Sequence, residues 1–237
     1  MQFNQLFKRE KSLIGMIHLS GKDKNEKIER ALWEIEVYDS VGLDGAIIED
    51  YHGTFEEVKE TLRQSKGKFE GLIKGVNILS NPYLGFKVAR DYGAKFVQFD
   101  SVQTPDLCIE TYNLLRLEFQ DILVLGGIGF KYTKPTGRSL ELDLIDGKSR
   151  CEAIVTTGEG TGIETSIEKL REYKRFLRDF PLIVGAGVND KNICDQLRIA
   201  DGSIVGSYLK PNGDTRLPIE VEKVSRLNNL LNSLRRF

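Results

Sequence analysis

Short runs of apolar, largely β-branched residues alternate with longer amphipathic stretches along the chain. Several of the short runs, such as LIVG at 182–185, are almost wholly apolar, which is typical of strands covered on both faces. The runs predicted to be strands are residues 12–19, 44–50, 72–79, 95–100, 122–131, 153–157, 182–185 and 202–206. This alternation indicates parallel strands joined by crossover helices.

The stretches between the strands carry apolar residues at spacings of three and four, as in Ile28, Leu32 and Ile35. Their opposite faces are rich in Lys, Glu and Arg, so we expect them to form a solvated outer ring of helices. Polar caps predict helix starts at Thr54 and Asn189, and glycines predict helix ends at Gly42 and Gly93.

Eight parallel strands are the number that closes a barrel, so the chain is predicted to be an α/β protein with the (β/α)8 TIM-barrel fold. No break in composition and no Pro, Gly or Ser-rich linker interrupts the series, and we therefore expect a single domain over residues 1–237. A doubly wound open sheet is the competing architecture, but it would need a topological switch that the strand count does not demand.

The composition and charge of the chain limit which binding partners and which cellular compartment we expect. The 237 residues are 40% hydrophobic and 29% charged, and 34 Lys and Arg balance 35 Asp and Glu to a formal net charge of −1. This balance favours neither nucleic acid nor an anionic membrane as a partner. Cys108, Cys151 and Cys194 are widely spaced, without the pattern of a disulfide framework or a zinc site. With no signal-peptide pattern and no apolar run of roughly 20 residues, a soluble cytoplasmic protein is expected.

Polar residues follow the predicted strands at the ends that meet at one rim of a barrel. They include His18, Glu49, Asn77, Asp100 and Lys131. Their convergence favours a ligand site over a set of strand terminators and helix caps, the alternative for each residue alone. Glu49 and Asp100 could act as general acid and base, or hold a divalent cation such as Mg²⁺ through carboxylate oxygens.

His18 and Lys131 complete the candidate catalytic set. Lys131 carries a positive charge that could stabilise the negative charge that develops on a substrate oxygen. His18 suits either proton transfer or a structural hydrogen bond. No spacing of the histidines supports a zinc site.

Two glycine-closed strands near the end of the chain predict an anion site. GAGV at 185–188 and DGSIVGS at 201–207 fall where a barrel places its last two strands, and their backbone N–H groups can hold phosphate. A tight turn at the glycines is the alternative. The candidate phosphate-binding residues are Gly185, Ala186, Gly187, Gly206 and Ser207, and Lys210 could add charge to the same corner.

A third glycine-rich segment, TTGEGTG at 156–162, follows the sixth strand. It is long and polar enough to close over a ligand, although a flexible turn and helix cap would use the same residues. It is not a Walker loop, because no GKS or GKT follows. Its candidate ligand contacts are Thr157, Gly158, Thr161 and Gly162, which join Asn77 as predicted substrate-binding residues.

A set of motifs in this order resembles the BtpA/SgcQ family. They are IGMIHL at 14–19, LDGAIIED at 43–50, GVNILSN at 75–81, TGEGTG at 157–162, VGAGVNDKNI at 184–193 and ADGSIVGSYLK at 200–210. The family is similar to TIM barrels that bind ribulose phosphate, and the resemblance implies that fold and a phosphorylated ligand. It also supports Glu49, Asn77, Lys131, Thr161 and the glycine pairs as site residues.

The chain departs from the family pattern at several positions. SGKDKN stands at 20–25 where the family has a proline-rich loop, and Tyr132 stands where it has histidine. Asp50 and Asp100 occupy positions that usually hold asparagine, which would make the mouth of the barrel more acidic.

These observations predict an enzyme acting on a phosphorylated sugar or nucleotide-like small molecule. Isomerisation, epimerisation, carbon–carbon cleavage and glycosidic cleavage all fit the candidate groups, and a metal-dependent lyase is a further alternative. A non-catalytic biogenesis, assembly or regulatory factor that retains the phosphate-binding barrel would carry the same residues. We expect a small phosphorylated partner, no nucleic acid, no membrane insertion and a homo-oligomer.

Overall fold

A closed barrel of eight parallel strands organises the molecule, and each strand pairs with its neighbour in sequence until β8 pairs with β1. The computed structural model describes residues 1–235. The strands are β1 (Ser12–His18), β2 (Gly45–Glu49), β3 (Ile73–Asn77), β4 (Phe96–Phe99), β5 (Leu123–Gly127), β6 (Ala153–Thr157), β7 (Leu182–Gly185) and β8 (Gly202–Val205). The predicted TIM-barrel fold is thereby confirmed.

One short helix precedes the first strand, and the helices that follow the strands form the outer layer. They are α1 (Phe3–Leu6), α2 (Lys24–Val41), α3 (Phe55–Ser65), α4 (Leu84–Tyr92), α5 (Ile109–Glu118), α6 (Leu140–Arg150), α7 (Ile167–Leu177), α8 (Ile193–Leu197) and α9 (Val221–Leu234). Two 3₁₀ turns, Ser207–Leu209 and Pro211–Gly213, follow β8. In the part of the chain that the structure describes, no helix combines the length and apolar character that a membrane crossing requires.

Most of the predicted element boundaries are confirmed. The Thr54 side chain accepts a hydrogen bond from the Glu57 N–H and caps α3, and Gly42 and Gly93 end α2 and α4 in the left-handed conformation. The predicted helix start at Asn189 is wrong: residues 189–192 form a turn in which the Asn192 side chain accepts from the Asn189 N–H, and α8 begins at Ile193.

Strand β5 ends four residues before its predicted end. Ile128 N–H makes a last hydrogen bond to the Val155 carbonyl, after which the chain leaves the sheet. Lys131 therefore lies in the loop after β5 rather than on the strand itself. The apolar IGF at 128–130 extended the strand pattern in the sequence, but the ladder of hydrogen bonds stops earlier.

Two apolar clusters lie on the two sides of the sheet. The larger one fills the space between strands and helices. The smaller one fills the barrel interior, where Met16, Ile47, Leu125 and Val155 meet Phe7 from the N-terminal segment. Strand side chains alternate between the two faces of the sheet. The inward-facing residue that follows this interior cluster toward the C-terminal end of each strand therefore faces the mouth of the barrel.

Candidate functional site at the mouth of the barrel

The inward-facing positions at the mouth divide it into two halves. His18, Glu49 and Asn77 lie side by side on β1, β2 and β3, since each is paired in register with the next. The opposite half carries small residues, namely Thr157, Gly185 and Gly206 at the ends of β6, β7 and β8. The mouth is therefore lined by polar side chains on one side and by residues with little or no side chain on the other.

Glu49 lies at the centre of the polar half, between His18 and Asn77. The Asn77 Nδ2 donates to its Oε1 at 2.8 Å, and the His18 Nε2 lies 3.7 Å from its Oε2. Burial raises the pKa of Glu49 to about 8, with help from the nearby Asp100 carboxylate, against the opposing effects of Lys131 and the Asn77 hydrogen bond. The carboxyl group is accordingly protonated at neutral pH.

Asp100 shares the amide of Asn77 and also accepts from Gln98. The Asn77 Nδ2 and the Gln98 Nε2 each donate to its Oδ1 at 3.0 Å. Burial raises the pKa of Asp100, although both hydrogen bonds oppose the shift. Gln98 lines the cavity at 2% exposure and was missed in the sequence, where its position two residues before Asp100 on one strand face was the available signal.

Asp50 points the other way, as the alternation along β2 predicts. Its carboxylate accepts hydrogen bonds from the backbone N–H groups of Leu79 and Ser80 and from the Ser80 hydroxyl. It stabilises the loop after β3, and Glu49 alone of the two neighbouring carboxyl groups lines the cavity.

His18 lies between the polar half and the glycine half. Its pKa is lowered well below the usual value, chiefly by burial and secondarily by the positive charges of Lys210 and Lys131. The imidazole is therefore neutral at neutral pH. A side chain at Gly206 would place its Cβ 2.9 Å from the His18 Cε1, so the glycine lets the ring lie against the backbone after β8. The buried Nδ1 has no hydrogen-bond partner within residues 1–235.

Lys131 is brought to the cavity by the loops after β5 and β6. Its backbone N–H donates to the Thr157 hydroxyl at 2.6 Å, and its Nζ lies 3.2 Å from the Thr161 hydroxyl. The Tyr132 hydroxyl in turn accepts from the Thr161 N–H at 3.0 Å. The two loops are thus fastened together with the ammonium group at the cavity wall.

The glycine half forms a corner of closely packed backbone, here called the glycine corner: residues 185–187, Gly206 and Ser207. Ala186 and Gly187 both adopt left-handed φ values, 59° and 64°. A Cβ at residue 187 would overlap the backbone of Ile163 and Glu164, and one at residue 162 would lie 3.5 Å from the Ser207 hydroxyl. The loops after β6, β7 and β8 therefore meet here, and all five residues line the cavity.

Two predicted ligand contacts lie elsewhere. Lys210 is fully buried, and its Nζ forms an ion pair with Glu34 of α2, whose Oε1 also accepts from the Ile219 N–H. The lysine ties the segment after β8 to the outer helices instead of lining the cavity. Gly158 borders a separate groove outside the loop after β5.

The remaining predicted residues meet around one cavity, which is lined by His18, Glu49, Lys131, Thr157, Thr161 and Gly162 together with the glycine corner. Asn77 and Asp100 join it through the hydrogen bonds to Glu49 and Gln98. Within residues 1–235, no group of three or more His, Cys, Asp or Glu side chains is arranged to hold a metal ion.

Comparisons with known proteins agree with this architecture. The model of the BtpA family matches residues 9–233. An uncharacterized protein of Pyrococcus furiosus is 30% identical, covering 95% of this chain and 96% of its own length. The photosystem I biogenesis protein BtpA of Synechocystis is 26% identical, covering 95% of this chain and 89% of its own.

Solved structures that share the fold are more distant in sequence. Thiamine phosphate pyrophosphorylase of Pyrococcus furiosus superposes with a TM-score of 0.67 at 13% identity, over 98% of this chain and 99% of its own. For 2-keto-3-deoxy-6-phosphogluconate aldolase of Zymomonas mobilis the TM-score is 0.66 at 14% identity, over 96% and 95%. For phosphoribosylanthranilate isomerase of Pyrococcus furiosus it is 0.61 at 16% identity, over 94% and 99%. These likenesses show the fold.

Proposed function

This chain belongs to the BtpA family, and from that premise and the geometry of the barrel mouth we propose that it is an enzyme that moves a proton on a phosphorylated, sugar-like small molecule. The observation that carries the proposal is the adjacency of a protonated Glu49 and a neutral His18, 3.7 Å apart. One group can donate a proton and the other can accept one at the same pH, which is the requirement for concerted acid–base catalysis.

The glycine corner is proposed to hold the phosphate. Its residues present backbone N–H groups and the Ser207 hydroxyl without side chains that would block an approach, and Lys131 supplies positive charge from the facing loop. The three solved structures with this fold named above are called a thiamine phosphate, a phosphogluconate and a phosphoribosyl enzyme, which supports a phosphorylated ligand.

The reaction that fits these groups best is isomerisation next to a carbonyl group. His18 would take the proton from the carbon, while the Glu49 carboxyl donates its proton to the carbonyl oxygen, giving a neutral enediol. His18 then returns its proton to the neighbouring carbon while the Glu49 carboxylate takes the proton of the other enediol hydroxyl, which completes the isomerisation with no net change of atoms. Asn77 and Gln98 hold the carboxyl groups in place through the hydrogen bonds described above.

The proposal is tested by incubating the protein with a panel of sugar phosphates in D₂O and following loss of carbon-bound protons by NMR. We expect exchange with a phosphorylated compound and none with its unphosphorylated parent. Glu49→Gln should retain binding, measured as thermal stabilisation, and lose exchange by about a hundredfold or more. Glu141→Gln, at an exposed position on α6, is the matched control. Binding of no phosphorylated compound, or full exchange in Glu49→Gln, would contradict the proposal.

A ligand sensor or assembly factor is the second candidate, favoured by the printed name of the Synechocystis relative, which concerns photosystem I biogenesis. Such a protein would use the glycine corner without chemistry at Glu49. The same experiment separates the two: a compound that stabilises both the unaltered chain and Glu49→Gln, with no exchange in either, supports the sensor.

A further inference from the structure

A second cavity lies directly outside the loop after β5, and we call it the outer groove. It runs between residues 128–139 of that loop, the start of the loop after β6, and helices α6 and α7. Four basic side chains line it: Lys131, Lys134, Arg138 and Lys169. Two acidic side chains, Asp143 and Glu159, line it as well.

The Asp143 carboxylate offsets part of this positive charge at the floor of the groove. Its Oδ2 accepts hydrogen bonds from Gln103 at 2.8 Å and Thr136 at 2.7 Å. Arg138 lies 3.9 Å from its Oδ1 and pairs more closely with Asp146, at 2.6 Å. This buried network braces the floor of the groove.

Two of the three lysines of the groove, Lys134 and Lys169, retain hydrogen-bonding capacity. The Lys169 Nζ donates to the Gly129 carbonyl at 2.8 Å and the Thr157 carbonyl at 2.7 Å, which uses two of its three N–H groups. The exposed Lys134 makes no ion pair or side-chain hydrogen bond within the described residues, 1–235. Glu159 is exposed at the edge of the groove. Because four basic side chains line the groove and two acidic side chains do, the lining has an excess of positive charge.

The outer groove adjoins the cavity at the barrel mouth. Phe130 and Lys131 line both spaces, and the Thr157 carbonyl that holds Lys169 belongs to the residue whose hydroxyl accepts from the Lys131 N–H. Lys131 therefore lies at the wall that the two spaces share, with the glycine corner on one side and the other cations of the groove on the other.

We propose that the outer groove binds a second anionic group of the same ligand, so that the substrate carries a phosphate at one end and a phosphate or carboxylate at the other. This inference rests on the proposed function, since it assumes a phosphate on the glycine corner. It narrows the substrate class to doubly anionic small molecules, for which Lys131 lies between the two charged ends.

Alkylphosphonates test the idea without requiring the natural carbon skeleton. Affinity is measured by calorimetry at fixed ionic strength for inorganic phosphate, for monophosphonates, and for a series of α,ω-bisphosphonates and ω-carboxyphosphonates of increasing chain length. At the length that spans both sites, the doubly anionic probe should bind about tenfold tighter than the monophosphonate. The two series distinguish a second phosphate from a carboxylate.

Variants with opposite expected effects make the test specific. Lys134→Met should remove the advantage of the doubly anionic probe and leave monophosphonate binding unchanged. Glu159→Gln should increase the advantage, since it removes a like charge from the groove. Lys87→Met, at an exposed lysine on α4 away from both sites, is the control and should change neither affinity.

The outcomes separate this inference from the proposed function. If monophosphonates bind and no doubly anionic probe binds more tightly, the outer groove is not a subsite and the glycine corner stands. If doubly anionic probes bind through Lys134 while phosphate and monophosphonates do not, the groove stands and the phosphate assignment at the glycine corner is wrong. If no probe binds, both are overturned.

Discussion

Burial shifts the pKa values of Glu49 and His18 in opposite directions, and both side chains are uncharged at neutral pH as a result. A carboxyl group in water is ionised at pH 7, and burial beside Asp100 keeps Glu49 protonated. Burial also keeps His18 uncharged, with the nearby lysines adding to the effect. Because both groups are uncharged before the reaction, the proton donor and the proton acceptor lie side by side without an isolated buried charge in the resting protein.

The raised pKa of Glu49 predicts how stability depends on pH. The folded protein holds this proton up to about pH 8, whereas the unfolded chain releases it near pH 4, so unfolding releases a proton throughout that window. The contribution of Glu49 to the free energy of unfolding therefore falls as pH rises, by up to about 1.4 kcal/mol per pH unit, and levels off above its folded pKa. The lowered pKa of His18 acts in the opposite sense only below about pH 6.5.

Urea unfolding of the unaltered chain and of Glu49→Gln between pH 6.5 and 9 measures this contribution. Glutamine cannot ionise, so the variant should gain stability relative to the unaltered chain up to about pH 8 and keep a constant difference above it. Glu141→Gln should follow the unaltered chain throughout. Parallel stability curves for Glu49→Gln and the unaltered chain would show that the Glu49 pKa lies outside this range.

Single residues also mark how far the sequence could predict the site. Glu49, His18 and Lys131 could be placed at one rim because parallel strands all end there. Gln98 was not found. It lies two residues before Asp100 on the same strand face, but a neutral glutamine is not by itself a candidate for acid–base chemistry. Lys210 was expected at the ligand, but its ion pair with Glu34 joins residues 176 apart in sequence, and no local pattern reveals such a contact.

At the scale of the elements, the glycine corner depends on loops packing against one another. The backbone after β7 lies directly against the loop after β6, and the loop after β8 touches both. Helix caps follow local rules, which is why Thr54, Gly42 and Gly93 were predicted correctly. The end of β5 and the turn at 189–192 depend on hydrogen bonds that form only when strands and loops come together.

Two glycine substitutions separate backbone strain from this packing. Gly187 and Gly213 both have left-handed φ values, 64° and 74°, but a Cβ at 213 meets open space whereas one at 187 would overlap the loop after β6. Gly213→Ala should cost about 1 kcal/mol in the free energy of unfolding. Gly187→Ala should cost clearly more and weaken phosphate binding, because the loop after β6 must move. Stability is read from urea unfolding and affinity from calorimetry.

Equal losses of stability in the two variants, with phosphate affinity unchanged in both, would contradict this account of the glycine corner. A loss of affinity in Gly213→Ala would likewise indicate that the 3₁₀ turns after β8 contribute to the anion site in a way that the packing does not explain.

At the scale of the whole molecule, the candidate site and much of the interior packing lie at opposite ends of the barrel. The predicted homo-oligomer stays a prediction, but within one chain the interior cluster closes the barrel below the polar layer. Phe7 packs against Phe3 with ring centroids 4.7 Å apart and meets the edge of Phe96 at 5.6 Å. A Cβ at Gly45 would crowd the Phe7 ring, so the first strands are shaped to receive it.

Phe7 should therefore matter for stability and not for the site. It is 3% exposed, and truncating a buried phenylalanine costs about 3 to 5 kcal/mol, so Phe7→Ala should lower the urea midpoint strongly. Leu114→Ala, at a position that is 69% exposed, is the control and should change stability by less than about 0.5 kcal/mol. Under conditions where Phe7→Ala is fully folded, its phosphate affinity should equal that of the unaltered chain, because the ring lies at the end of the barrel away from the mouth. A parallel loss of affinity would mean that the interior cluster transmits changes in packing to the polar layer above it, and that Met16 and Ile47, which lie between them, position His18 and Glu49.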